Sequence, residues 1–497
     1  MNLILRSSST LIITALTLFS CSKEKSSEPS SISASNFEVS IDENPVDGET
    51  LGTLNANTNQ GTLSFNLVEE SIEGALKINQ STGELTVLNS SLFDYEVVNA
   101  ITGIYQVTAG DLSESAIITI NINDDPTDAF VGDIVLDSQE AIETFGANNY
   151  NTITGSLTIG SPYNIKNTSV IDLTPLSSLT SIGRDVKMSH NAALLHLDGL
   201  DNIVSIGGDL WMVINYELQD MSHLSSLSSI GGDFYFSGQF ALTDLNGLQN
   251  LKTINGSLRI EQNYDLTDLS ALDGLENIGG FIYIWGNQSL QNLNGFNTIV
   301  SLADGIKIEG NEALEVISGF ENLNTTRNLI FQENINLEVI NGFGVLSSVN
   351  DILTFAKNNS LQNFNQLTSI NSVGRIYIRD NENLTSLEGL SGITSAVTNV
   401  YIEDNNALNS LFGFNNISMI EETIEIKNNA MLQDLEGLNG LINVGESAYI
   451  YVNNNQTLTD FCALENLMMN IEVDNYYASN NAYNPTRQDI IDGNCSL

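Results

Sequence analysis

The chain has 497 residues, with 16 Lys or Arg against 61 Asp or Glu and a formal charge of −45. Such a field repels nucleic acid and anionic head groups and favours divalent cations. The length calls for two or more domains, while 41% hydrophobic residues exclude a disordered polyanion, and 38 glycines with only 6 prolines suit many tight turns between short strands.

Residues 1–20 read as a targeting segment. Arg6 precedes an apolar run from Leu11 to Phe19, far short of the roughly 20 residues a spanning helix needs. The run ends in Leu18-Phe19-Ser20-Cys21, which resembles the lipobox of bacterial lipoproteins. The resemblance implies cleavage before Cys21, lipid on that cysteine and attachment to a membrane through it. Ser22 in the next position points, by the same resemblance, to the outer membrane or cell surface. An ordinary secretory signal that happens to end at a cysteine is the alternative. Residues 21–35 are rich in Ser, Lys and Glu, the composition of a flexible tether.

Between residues 36 and 126, apolar residues alternate in short runs, as in Thr62-Leu63-Ser64-Phe65-Asn66-Leu67 and Ile117 to Ile122. Period two broken by turn residues predicts a small β-sandwich. An opener Ile41-Asp42-Glu43-Asn44 is followed by Phe93-Asp94-Tyr95-Glu96, then by Val107-Thr108-Ala109-Gly110-Asp111 and finally Asn121-Ile122-Asn123-Asp124-Asp125-Pro126. This ordered set resembles a cadherin repeat. The resemblance implies calcium at the junction with the next domain, held by Glu43, Asp94, Glu96, Asn123 and Asp124 with the carbonyls of Ile122 and Asp125. Clustered carboxylates and carbonyls match the six to eight oxygens calcium takes. The chain departs from the family where Tyr95 stands for Arg and where Asn121 and Asp125 exchange the usual Asp and Asn. The next domain is not a second cadherin repeat, so Asp128 and Asp133 are the nearest substitutes for its aspartates. A retained fold with a solvated acidic end is the alternative.

From residue 130 to 497 the sequence repeats as apolar-x-apolar-x-x-Asn-x-x-Leu-x-x-Leu, often after Ile-Gly-Gly-Asp. The asparagine falls at Asn191, Asn215, Asn263, Asn287, Asn311, Asn334, Asn358, Asn381, Asn405, Asn429 and Asn455, with Gln239 in its place once. One such unit cannot bury its apolar face alone, so neighbours must stack. The expectation is an all-β chain whose second part is a right-handed parallel β-helix of about twelve rungs of 23–24 residues, on the order of 55 Å long at the usual strand spacing. The recurrent asparagine should turn inward and bond the backbone of adjacent rungs, with the Gln239 rung locally looser. The pattern resembles the receptor L domain, a leucine-rich-repeat-like solenoid. Gly132-Asp133-Ile134-Val135-Leu136 and Asn484-Pro485-Thr486-Arg487 look like its caps. With Cys21 lipidated, Cys462 and Cys495 can pair only with each other in an oxidising compartment, contributing roughly 3–4 kcal/mol. Two buried free thiols are the alternative.

Residues between the inward apolar positions point outward. That column runs Lys187, Trp211, Tyr235, Arg259, Tyr283, Lys307, Ile330, Thr354, Tyr377, Tyr401, Glu425 and Tyr451, and the next column adds Trp285, Arg379 and Lys427. We therefore take Trp211, Tyr235, Arg259, Tyr283, Trp285, Lys307, Tyr377, Arg379 and Tyr401 as the candidate binding surface for a glycan or a partner protein. Aromatic ladders also stabilise exposed sheets by themselves, so a structural role stays open. Asp220, Asp244 and Asp268 share a column that could hold a cation or fan into solvent. His190, His196 and His223 read as surface residues. No metalloprotease, hydrolase, P-loop or dinucleotide fingerprint occurs, so no enzyme is expected. Arg259 beside Glu261 and Arg379 beside Glu403 mimic polysaccharide-cleaving β-helices, but the turns are too short to wall a cleft. Adhesion or recognition through the solenoid face leads, and a purely structural spacer is the alternative.

Overall fold

The computed structural model describes residues 29–95, 97–123, 129–161, 165–470 and 475–497. The signal segment, Cys21, Glu96, Asp124, Asp125 and Asp128 lie outside the described residues. The chain divides into two compact units, Met1–Asp125 and Pro126–Leu497. No helix among the described residues is long and apolar enough to cross a membrane.

The first unit is a sandwich. Strands β1 (Ile32–Ala34), β2 (Phe37–Asp42), β3 (Thr50–Thr53), β4 (Ala56–Thr58) and β5 (Ser64–Glu70) precede β6 (Leu76–Ile78), β7 (Glu84–Val87), β8 (Ala100–Ala109) and β9 (Leu112–Asn123). One sheet runs β2-β9-β8-β5 and the other β3-β7-β6, with β1 and β4 paired beside them. The long hairpin β8–β9 shows why. Ile101, Tyr105 and Val107 on one strand, and Ile118, Ile120 and Ile122 on the other, alternate inward onto Phe65, Leu85 and Phe93. Tyr105 is buried, and its hydroxyl donates to the Ser35 carbonyl at 2.7 Å, which satisfies the one polar atom that ring carries inside.

The second unit is a parallel β-solenoid of about 14 turns. Its main wall is a 17-stranded sheet that starts at Ile134–Leu136 and ends at Tyr476–Ser479. A second wall of two-residue strands runs from Ala129–Phe130 to Asn277–Ile278. The turns beyond the twelve read from the asparagines are at the two ends, where spacing breaks: Leu157 pairs with Val186, and Ile450 with Tyr476. One apolar interior extends without interruption from Leu136 to Cys495.

The asparagines form a ladder inside that core. Each is fully buried from Asn191 to Asn455. The backbone amide of Asn287 donates to Asn311 Oδ1 at 3.0 Å, and its side-chain amide donates to Ile260 O at 3.0 Å and to Asn311 Oδ1 at 3.2 Å. The same three bonds recur from Asn263 to Asn455, and at the far end Asn481 donates to Asn484. The residue before each rung of the ladder is left-handed: Ile214 at φ 54°, Gln262 at 54°, Lys357 at 57° and Asp404 at 59°. That conformation is unfavourable for a side chain such as isoleucine, and the ladder bonds at the next residue hold it in place.

Gln239 is as buried as its neighbours. Its amide reaches Met212 O and Ser237 O, and its own backbone still donates to Asn263, but Oε1 has no partner. The rung is not open; it lacks the backbone and side-chain bonds from Asn215, and its own side chain makes none to Asn263.

A second ladder explains Ile-Gly-Gly-Asp. Asp185 Oδ1 accepts from the amide of Asp209, Asp209 Oδ1 from Asp233, and Asp233 Oδ1 from Ser257. Asp133 begins the same series, accepting from Ser156 at 2.8 Å. The first glycine is demanded by packing, because a Cβ on Gly231 would lie 2.1 Å from Gly207 O. At the C-terminal end, Cys462 and Cys495 are joined by a disulfide with Cα atoms 4.9 Å apart, and Thr486 caps the helix Arg487–Ile491 with a capping box.

Two substitutions test the ladder. Asn311→Ala leaves buried amides and a carbonyl unpaired and should cost about 3 kcal/mol or more. Gln239→Asn restores the missing bonds and should stabilise by about 1 kcal/mol. Denaturant unfolding of each variant checks both signs.

Candidate recognition surface

Four-residue strands such as Leu210–Val213 and Phe234–Ser237 bury alternate residues and turn the others out. Because adjacent strands pair parallel and in register, equivalent residues stack along the axis. Lys187 pairs with Trp211, Trp211 with Tyr235, Tyr235 with Arg259, Arg259 with Tyr283 and Tyr283 with Lys307. Further on, Tyr377 pairs with Tyr401. Trp285 stands beside Glu261 and Glu309, and Arg379 beside Glu403, in the next outward column. All nine candidate residues therefore share one sheet, in two groups separated by Ile330 and Thr354.

The groups differ in how the rings lie. Tyr377 and Tyr401 stack face to face, 5.1 Å apart and 4° from parallel, with the Arg379 guanidinium 4.9 Å from each ring centre. Tyr451 stacks likewise on Tyr449 and Tyr477. Stacking along the axis spends ring faces on neighbouring rings. Trp211 and Tyr235 instead meet edge to face at 5.1 Å and 65°, and Trp211 is 37% exposed.

The cations of the stripe are partnered on the same sheet. Lys187 lies 3.4 Å from Asp185, Arg259 3.9 Å from Glu261, Lys307 2.6 Å from Glu309 and Arg379 3.0 Å from Glu403. The Tyr235 hydroxyl donates to Glu261 at 3.1 Å and the Tyr283 hydroxyl to Glu309 at 2.6 Å. Burial pushes the carboxyls of Glu261 and Glu403 above their ordinary range, against the pull of Arg259 and Arg379. At these four positions the sheet therefore carries ion pairs.

Beside Trp211 and Tyr235 is a cavity of about 530 Å³, lined also by Thr158, Lys187, Ser189, His190, Val213 and Ile214. His190 Nδ1 is buried with no partner among the described residues. Around the corner, Tyr216, Phe240 and Tyr264 form a further ring series, with the Lys166 ammonium 5.1 Å from the Tyr216 ring centre. These residues directly follow Asn215, Gln239 and Asn263, so the repeat itself would have revealed their column. A second concavity, about 570 Å³, is lined by Glu312, Glu333, Asp380, Glu382 and Asp404, with Lys357 paired to Glu333 at 2.9 Å.

In the sandwich, the end of β2 and the loop before β8 come together. Glu43 is 5% exposed, and its carboxylate accepts from the Tyr95 amide at 3.0 Å, while Asn44 donates to Phe93 O. Asp94 accepts from Val97, Glu43 N donates to Asn123 O, and the Asn123 side chain donates to Asp42. Ile122 is paired with Ile41 across β2 and β9. Glu43, Asp94 and Asn123 thus lie at one end of the sandwich, tied together through backbone hydrogen bonds. Glu96, Asp124 and Asp125 lie outside the described residues. No group of three or more His, Cys, Asp or Glu placed to hold a metal occurs among the described residues.

The column Asp220, Asp244 and Asp268 has a local task. Each carboxylate accepts from the amide two residues on, at Ser222, Asn246 and Ser270. Burial pushes the carboxyls of Asp220 and Asp268 up, but those amide and hydroxyl donors prevail and hold them below the usual range. His223 is at the surface, partly exposed, and is paired there. Its Nδ1 lies 2.6 Å from Asp201 and its Nε2 2.8 Å from Asp198, both on the preceding turn. The hydrogen bond to Asp201 raises its pKa against burial, and the charges of Asp201, Asp198 and Asp220 add to it.

No protein-family model and no curated protein matches the chain. Among solved structures 112 chains match. They include protocadherin gamma B2 extracellular cadherin domains 3–6, at 16% identity and TM-score 0.18, covering 22% of this chain and 31% of that one. The third cadherin domain of human protocadherin 7 matches at 23% identity and TM-score 0.17, covering 19% of this chain and 87% of that one. The protocadherin gamma B4 extracellular domain matches at 15% identity and TM-score 0.18, covering 22% and 21%. The chain spans less than a third of the multi-domain protocadherin structures it matches.

The His223 clamp has a definite pH sign. A histidine whose folded pKa is raised contributes fully below its unfolded value of about 6.5, and the contribution is lost as pH rises through the folded value. Wild type should therefore lose stability relative to His223→Gln as pH climbs above about 6.5, measured by parallel unfolding curves, with a raised imidazole pKa by NMR titration.

Proposed function

We propose that the chain is an exported, lipid-anchored adhesion or recognition protein that contacts a glycan or a partner protein through the main solenoid sheet. The observation that carries this reading is the register. It collects Trp211, Tyr235, Arg259, Tyr283, Trp285 and Lys307 on one wall, held by strands whose backbone is bonded on both sides. Side chains ordered in advance lose little entropy on binding. Cys21 is the attachment point at the outer membrane or cell surface, on the strength of the Leu18-Phe19-Ser20-Cys21 sequence. The receptor L domain is the family whose repeat the solenoid resembles. The role is binding, not catalysis: Arg259–Glu261 and Arg379–Glu403 are ion pairs on an open sheet, with no wall to exclude water around a reacting bond.

Calcium is proposed at the end of the sandwich, held by Glu43, Asp94, Glu96, Asn123 and Asp124 with the carbonyls of Ile122 and Asp125. The ion would offset the mutual repulsion of these carboxylates.

The spacer reading is favoured most in the C-terminal half of the sheet, where Tyr377–Tyr401 and Tyr449–Tyr451–Tyr477 stack on one another. Trp211→Ala, Tyr235→Ala and Tyr283→Ala combined should abolish adhesion of protein-coated beads to cells, by at least about tenfold, with the unfolding curve retained. Undiminished adhesion would leave the spacer. Calorimetric titration with calcium should give heat in wild type and none in Asp124→Ala or Glu43→Ala; absence of heat in wild type removes the ion.

A further inference from the structure

We propose that the cavity beside Trp211 and Tyr235 is a binding subsite for a neutral, pyranose-based glycan. The inference rests on the recognition reading above and narrows it in place and in chemistry.

Ring geometry fixes the place. Further along the sheet Tyr377 and Tyr401 stack along the axis at 4° from parallel, and Tyr283 stacks on Trp285 of its own strand. At Trp211 the edge-to-face contact with Tyr235 leaves the indole 37% exposed beside a recess of about 530 Å³. That volume falls within the roughly 300–1,000 Å³ of small-molecule sites. The recess combines apolar surface from Trp211, Val213 and Ile214 with hydroxyls from Thr158 and Ser189. Its backbone is fixed by the ladder, since His190 N donates to Val213 O and Ile214 N to Ser237 O.

Charge and donor types fix the chemistry. A pyranose has a C–H face that packs on an aromatic ring and a rim of hydroxyls that both donate and accept. Here the ring is bordered by hydroxyls and by carboxylates: Trp211 Nε1 donates to Asp209 at 3.1 Å, and Lys187 is paired with Asp185 at 3.4 Å. With that ammonium already partnered and a formal charge of −45 on the chain, an acidic sugar gains no ion pair and meets a repulsive field. A neutral sugar meets neither obstacle. A protein partner needs a contact of roughly 1,000 Å² or more with an apolar centre, whereas beyond Tyr235 the rings of Tyr283 and Trp285 are flanked on both sides by the ion pairs Arg259–Glu261 and Lys307–Glu309.

The test is a glycan array, then calorimetry on the hits, using the full chain with neutral hexose oligosaccharides and their uronate or sulfated counterparts. We expect binding confined to neutral glycans and little changed between low and high salt. It should weaken by at least about tenfold in Trp211→Ala and in Tyr235→Ala and stay unaltered in Tyr477→Ala, at the far end of the same sheet. Thermal unfolding of each variant separates lost binding from lost fold, and Trp211→Phe should retain part of the affinity. Binding only to acidic glycans, or loss in Tyr477→Ala instead of Trp211→Ala, overturns the assignment. If no glycan binds but the coated beads still adhere through the sheet, the glycan inference falls and the recognition reading stands, with a protein as its ligand. If neither occurs, both fall.

Discussion

A solenoid of this kind depends on what happens to the polar groups at the corner after each strand. The chain must turn there, inside the apolar wall, and a buried amide or carbonyl left unpaired costs about 1–3 kcal/mol. Asparagine solves this with one side chain. Its oxygen accepts the backbone and side-chain amides of the preceding rung, and its own amide donates back to a carbonyl, as Asn405 does with Asn381 and Ile378. Each rung thereby satisfies its neighbour, so the bonds close only if the rungs are stacked in register. The left-handed residue before each asparagine, Asp380 or Asn428 for example, is tolerated because it aims that side chain inward. Local strain and long-range order are thus two aspects of one corner.

Register is what converts a repeat into a surface. With strands parallel and one period apart, the outward residue of every rung falls beside its equivalents, and a functional column is written in the sequence at fixed intervals. This made most of the solenoid legible: the inward leucines, the asparagine ladder and the outward column from Lys187 to Tyr451 follow from spacing alone, and Tyr451 does pair with Glu425 and Tyr477. The sandwich was legible for a different reason, the strict alternation in Ile101 to Ala109 and Ile118 to Ile122.

Interactions set by side-chain direction, and not by position, escaped the sequence. The column of outward residues says nothing about whether two rings stack or meet edge to face, which depends on rotamers and on the flanking carboxylates. The adjacency of Arg379 and Glu403 was legible from the repeat, but residue type did not reveal that Lys307 would fold back onto Glu309, two residues away, where the short path wins over reaching into water. His223 shows the complementary lesson. Its carboxylates, Asp198 and Asp201, are distant along the chain but adjacent once the period is subtracted. Proximity in a solenoid has to be judged modulo the repeat, and a histidine read against its linear neighbours is read in the wrong company.

The acidity of the chain can be understood in the same terms. Excess carboxylates are placed where a local amide or hydroxyl awaits them: Asp209 takes the amide of Asp233, Asp220 that of Ser222, and Asp489 those of the capping box at Thr486. Hydrogen bonds of this type favour the ionised form, so much of the negative charge stabilises turns instead of straining them. A further group lines the concavity that carries Glu312, Asp380, Glu382 and Asp404, on other rungs than the Trp211 recess. A rod charged in this way repels its own copies and other polyanions along most of its length. Under the proposed glycan reading, selectivity arises by subtraction: at the Trp211 recess the charges are paired, and an uncharged, hydroxyl-rich ligand meets the least opposition.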